Sequence, residues 1–154
     1  MKFTVQTAIA ALAAVAISTA AFAEADAIKS RQTAMKAVGG AMGDTLVKMI
    51  KGEIPYDSAK ASAALAVMSA SAKGFDDLFP KGSETGGEPG HETAATPKIW
   101  SDTAGFKTAL NTLKTTIKAQ EAAVATDLDG VKAAVNELGK ACKGCHDTYR
   151  VKKS

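Results

Sequence analysis

Aromatic side chains are scarce in these 154 residues: one Trp, two Tyr and five Phe. Phe3 and Phe22 fall in the apolar opening stretch, so the rest of the chain has only Tyr56, Phe75, Phe79, Trp100, Phe106 and Tyr149. A core filled mostly by Ala and Met leaves room for something else. Strand-like alternation is also lacking over any length that competes with a helical period, which excludes a sheet-based fold. Net charge is small, +3, and falls to +2 without Lys2, too little to argue for nucleic acid or an anionic membrane surface as partner. Cysteine and histidine number two each.

One long apolar run is present, at the start. Lys2 gives a positive beginning, Phe3 to Ile17 is rich in Ala, Val, Ile and Leu, and Ala21-Phe22-Ala23 is a small-x-small cleavage site. Residues 1–23 therefore read as a secretory signal peptide. An uncleaved anchor is the alternative, disfavoured by the Ala-x-Ala end and by the Thr and Gln within the run. No later segment has the apolar length to span a bilayer. Residues 24–154 have the size of one ordinary domain.

Four segments carry a helical period. Over 25–51, Ile28, Met35, Met42 and Met49 recur every seven residues, with Val38 and Leu46 on the intermediate turns and Gly52-x-x-Pro55 as the stop. Asp57 is the expected N-cap of a second helix, whose apolar positions Ala61, Leu65, Met68, Ala72, Phe75 and Phe79 run up to Pro80. Residues 81–98, rich in Gly, Pro, Ser, Glu and Thr, read as one long crossover connection, which need not be functional. A third helix is expected over 101–125 on Phe106, Leu110, Leu113, Ile117 and Val124. Thr126 to Gly130 break it, and the fourth carries Val131, Val135, Leu138, Cys142, Cys145 and Tyr149 at spacings of four and three. Four amphipathic helices in one small domain predict an all-α antiparallel four-helix bundle. No repeat of 20 to 50 residues is visible.

Both cysteines share the apolar stripe of the last helix and are expected to point inward, with His146 directly after Cys145. Cys-x-x-Cys-His is the attachment motif of c-type haem: two thioethers tie the porphyrin edge to one helical face, and the adjacent imidazole serves as proximal iron ligand. Three rivals fit less well. A thioredoxin-like dithiol belongs at a helix start after a strand, whereas these cysteines come near a helix end. A structural zinc needs four ligands, and His91 in the long connection is the only further histidine. A disulfide across one helical turn is strained and closes a very short loop. His91 is expected to be an exposed loop residue.

With these residues in view, the chain resembles the class II cytochromes c, the group of cytochrome c′ and its low-spin relatives. The stretches that carry the resemblance are Ile28 to Gln32, Lys51 to Asp57, Pro97 to Asp102 and Gly139 to Arg150. The resemblance implies a haem near one end of the bundle and a distal residue four positions after Arg31, which is Met35. Helix geometry agrees: in an antiparallel pair Met35 lies ~15 Å from the start of its helix and His146 ~9 Å from the end of its own, while Met42 and Met49 fall about 10 and 20 Å further on. The alternative is that Met35 only fills the core. The resemblance further implies that Arg31 pairs with a haem propionate, with Gln32 a weaker neighbour, and that a homodimer forms through the first two helices. The Met35 to Gly43 stretch looks more like the low-spin members.

The expectation is a periplasmic single-electron carrier, not an enzyme, with periplasmic redox proteins as partners. A high-spin protein binding nitric oxide or carbon monoxide at a vacant distal site is the alternative. Lys140, Lys143, Arg150, Lys152 and Lys153 form a basic rim around the haem turn that could steer an acidic partner, or be merely solvated.

Overall fold

The structure is a computed structural model that describes residues 24–87, 89 and 92–151. Residues 1–23, where a signal peptide is expected, and His91, Lys152 and Lys153 lie outside the described residues.

Four long helices form the expected bundle: α1 (24–50), α2 (Ser58–Ala72), α3 (Thr103–Thr126) and α4 (Leu128–Tyr149). A 3₁₀ turn, Phe75–Leu78, and a helical turn, Lys98–Ser101, flank the long connection between α2 and α3. The helices pack in a ring, α1 on α2, α2 on α3, α3 on α4 and α4 on α1. Three of the four begin on an aspartate. Asp57, Asp102 and Asp127 accept the backbone N–H of Lys60, Gly105 and Gly130 at 3.0, 3.1 and 2.8 Å, satisfying first-turn donors that have no intrahelical partner.

Two of the expected helices differ in detail. Residues Ala41–Val47 of α1 form a π-helical segment. Its wider i→i+5 turn advances each residue by a smaller angle, so Leu46 comes round beneath Val38, whereas a straight α-helix would set it roughly 80° away. Leu46 and Met49 are thereby fully buried, while Met35 and Met42 pack against the core half-exposed. The second helix stops at Ala72 and does not reach Phe79, because Gly74 turns left-handed at φ 67° before the 3₁₀ turn begins.

The core joins Leu46, Met49, Leu65, Met68, Ile117, Val131 and Leu138. In α4 the deepest line runs through Val131, Ala134, Leu138 and Ala141, with Val135, Cys142 and Cys145 on its flank, half-buried. The cysteines thus edge the interior and pack against the core. The α3–α4 hairpin closes tightly: a Cβ on Gly130 would lie 2.0 Å from the Ala123 carbonyl oxygen. Among the described residues no helix is long and apolar enough to cross a membrane.

Candidate haem site

The last two turns of α4 carry Cys142, Cys145 and His146, all half-buried and all near the helix end. The two sulfurs are not joined to each other in a disulfide. Burial pushes both thiol pKa values up, and at Cys145 the neighbouring Cys142 adds to the rise. Such thiols stay protonated at neutral pH, the opposite of the activated thiolate that dithiol exchange needs. Burial pulls the His146 pKa down, the Arg150 charge adds to this, and Asp147 opposes it. The imidazole is therefore neutral near pH 7 and has a lone pair to give a metal. No group of three His, Cys, Asp or Glu side chains among the described residues could hold a metal ion by itself.

Beyond the turn the chain becomes extended and is strapped to the long connection. Thr96 donates its N–H to the Tyr149 carbonyl (3.1 Å) and its hydroxyl to the Thr148 carbonyl (3.2 Å), while Val151 donates to the Ala94 carbonyl (2.8 Å). Ala95 and Arg150 form an antiparallel bridge. Tyr149 seals the end of the bundle, its hydroxyl on Asp102 and its ring edge-on to Phe106.

Met35 on α1 packs against the same core cluster as Cys142 and Cys145. Arg31, one turn earlier, is only 5 % exposed. Its Nη1 donates to the Leu78 carbonyl (3.3 Å) and the Ser83 hydroxyl (3.1 Å), and its Nη2 to the Ser83 carbonyl (2.7 Å) and the Thr93 hydroxyl (2.6 Å). The guanidinium carbon lies 4.8 Å from the Phe79 ring centre and 5.9 Å from that of Trp100. Burial lowers the Arg31 pKa, and the more distant Glu84 carboxylate partly offsets this. Gln32 donates its Nε2 to the Glu92 carbonyl (3.1 Å). Both residues expected at a propionate edge thus reach the connection between α2 and α3. Hydrogen bonds between residues 47 to 62 positions apart leave no trace in a local pattern.

Of the basic rim, Lys140 pairs with Glu137 (2.6 Å) and Lys143 with Asp147, which partly neutralises it. Arg150 is exposed.

Two thiols one helical turn apart, neutral imidazole beside them and a thioether on the adjoining helix form a donor set that suits a covalently attached haem. A four-helix bundle with two cysteines and a histidine so placed on its final turns defines a c-type haem protein. Comparison with known proteins narrows the class: the family described as Cytochrome C′ matches residues 26–150, and the chain belongs to it. A cytochrome c-556 of Agrobacterium fabrum is 43% identical over 126 residues, 82% of each chain. The crystal structure of cytochrome c′ from Rubrivivax gelatinosus superposes with a TM-score of 0.71 at 36% identity, covering 82% of this chain and 96% of that one. A nitric oxide complex of a cytochrome c prime variant from Alcaligenes xylosoxidans gives 0.72 at 36% identity, covering 84% and 97%. The cofactor is accordingly a covalently bound haem c, and the protein is an electron-carrying or gas-binding haem protein.

Proposed function

We propose that this chain is an exported, periplasmic carrier of single electrons, its iron held by His146 and Met35 and its porphyrin tied to Cys142 and Cys145. The haem, when bound, supplies the ferric/ferrous couple. The polypeptide holds and tunes it. What supports this reading most is that Met35 on α1 and Cys142 and Cys145 on the adjoining α4 pack against one core, with the half-buried His146 directly after Cys145. A methionine thioether as second axial ligand favours ferrous iron and raises the potential, as a carrier needs.

Arg31 adds a buried cation whose four acceptors are all neutral oxygens. A propionate beside it would compensate that charge through the Nε–H, a donor that those four contacts do not use. Gln32 would stand at the same edge. Redox proteins of the same compartment are the partners, met near the exposed Arg150, and a homodimer would form through α1 and α2. In this reading the protein is a carrier and not an enzyme.

Absorption spectra of the purified holoprotein test the ligation. A high-spin ferric spectrum, or immediate carbon monoxide binding by the ferrous form, would reject Met35 as ligand. In the six-coordinate case Met35→Ala turns the protein high-spin. The second reading, a vacant distal site that binds small gases, is supported by the nitric oxide complex among the similar structures. The same spectra decide between the two.

A further inference from the structure

The described parts of the connection between α2 and α3 are held at two places, by the opening of α1 and by the end of α4. At its first arm, Arg31 of α1 holds Leu78 and Ser83. Ser83 is fully buried, and its hydroxyl donates in turn to the Pro80 carbonyl at 2.8 Å. Arg31 also reaches across to Thr93, where the second arm begins. Trp100 locks the two arms together, its Nε1 donating to the Phe79 carbonyl at 3.0 Å and the Pro80 carbonyl at 3.2 Å. The second arm then pairs with Thr148 to Val151, directly after His146.

One strap therefore joins the first turns of α1, which carry Met35, to the end of α4, which carries His146. Arg31 and Met35 are four residues apart, neighbours on one helical face. A guanidinium is suited to the joint because its planar fork serves several acceptors at fixed angles, which an ammonium cannot do.

We infer that Arg31 is a positioning residue that clasps the connection and so holds the opening turns of α1 over the haem, limiting access of outside ligands to the distal face of the iron. The inference rests on the proposed haem site between α1 and α4. It does not require that Met35 be bonded to the iron, because a covering side chain and a ligating one are held by the same turn.

The test uses the full holoprotein with carbon monoxide as probe. Arg31→Lys keeps the positive charge and removes the fork, and Thr93→Val removes one acceptor as a milder change. Amide exchange at Thr96 and Val151 reports whether the strap has loosened. Tyr56→Phe is the control for stability, since its hydroxyl donates to the Val124 carbonyl at the opposite end of the bundle.

The rate of carbon monoxide binding to the ferrous form is expected to rise by about tenfold in Arg31→Lys and less in Thr93→Val, as a closed population held by a few hydrogen bonds is released. Both variants should exchange faster at Thr96 and Val151, and Tyr56→Phe should leave the rate alone. The clasp is overturned if Arg31→Lys and Thr93→Val bind at the native rate, or if Tyr56→Phe raises the rate as much as they do. Should Arg31→Lys not fold, Thr93→Val against Tyr56→Phe decides. Failure of the Met35 ligation reads separately, from a native protein already high-spin, and leaves the ratio of variant to native rates intact as the measure of the clasp.

Discussion

Tyr149, on the last turn of the haem-bearing helix, donates its hydroxyl to Asp102 at 2.8 Å, bringing together residues 47 apart. The same carboxylate caps α3 through the Gly105 N–H. Gly105 has to be glycine for this to happen, since a Cβ there would lie 2.4 Å from the Tyr149 oxygen and 2.5 Å from Asp102 Oδ2. One aspartate thus serves as a helix cap and as the anchor of the haem turn.

The contact makes stability depend on acid. The Tyr149 hydroxyl, and next the Gly105 N–H, hold the Asp102 carboxyl below the usual carboxylate range. A carboxyl lowered on folding contributes its stability in full above the unfolded value of ~4 and loses it as pH falls through the folded value. Asp102→Asn should therefore be less stable than the native protein at pH 7, and the gap should narrow below about pH 4. Denaturant melts of both proteins across that range check this; parallel profiles would refute it.

Gly130 should tolerate no side chain. Its Cβ would meet the Ala123 carbonyl carbon at 2.7 Å as well as the oxygen, and backbone cannot rotate aside as a side chain can. Gly130→Ala is expected to lower the unfolding free energy by about 1–3 kcal/mol through overpacking of the α3–α4 hairpin. Thermal melts of the holoprotein check the Gly130→Ala prediction; an unchanged melting temperature would refute it.

The cysteines should act as two separate tethers. Cys142→Ala or Cys145→Ala leaves one thioether, so haem stays with the peptide on denaturation and one sulfur is lost from the linkage. The double variant releases all its haem to acid extraction. Intact-mass measurement after maturation reads each case, and haem retained by the double variant would refute the attachment.

The helix stripes were legible because helical burial is local and periodic. Val131, Leu138 and Tyr149 are buried where a spacing of three and four places them. Asp57 caps α2 as its position before an apolar run predicts. The haem turn was legible too, because all three of its groups lie within five consecutive positions. The end of α2 is not legible in the apolar pattern, since Phe75 and Phe79 continue the period while Gly74 breaks the backbone beneath it. The cysteines flank the core line because two alanines, Ala134 and Ala141, occupy it, a choice between neighbouring stripes that hydrophobicity alone does not make.

Amino-acid order by itself determined four helices, their caps and the chemistry at the end of the last one, since each depends on residues within a few positions of one another. Only the folded chain decided what Arg31 holds, how the connection straps α1 to α4, and why Gly105 and Gly130 lack side chains. Those contacts depend on atoms brought within hydrogen-bond or van der Waals reach by packing, and such short-range forces act on distance in space, whatever the separation along the chain.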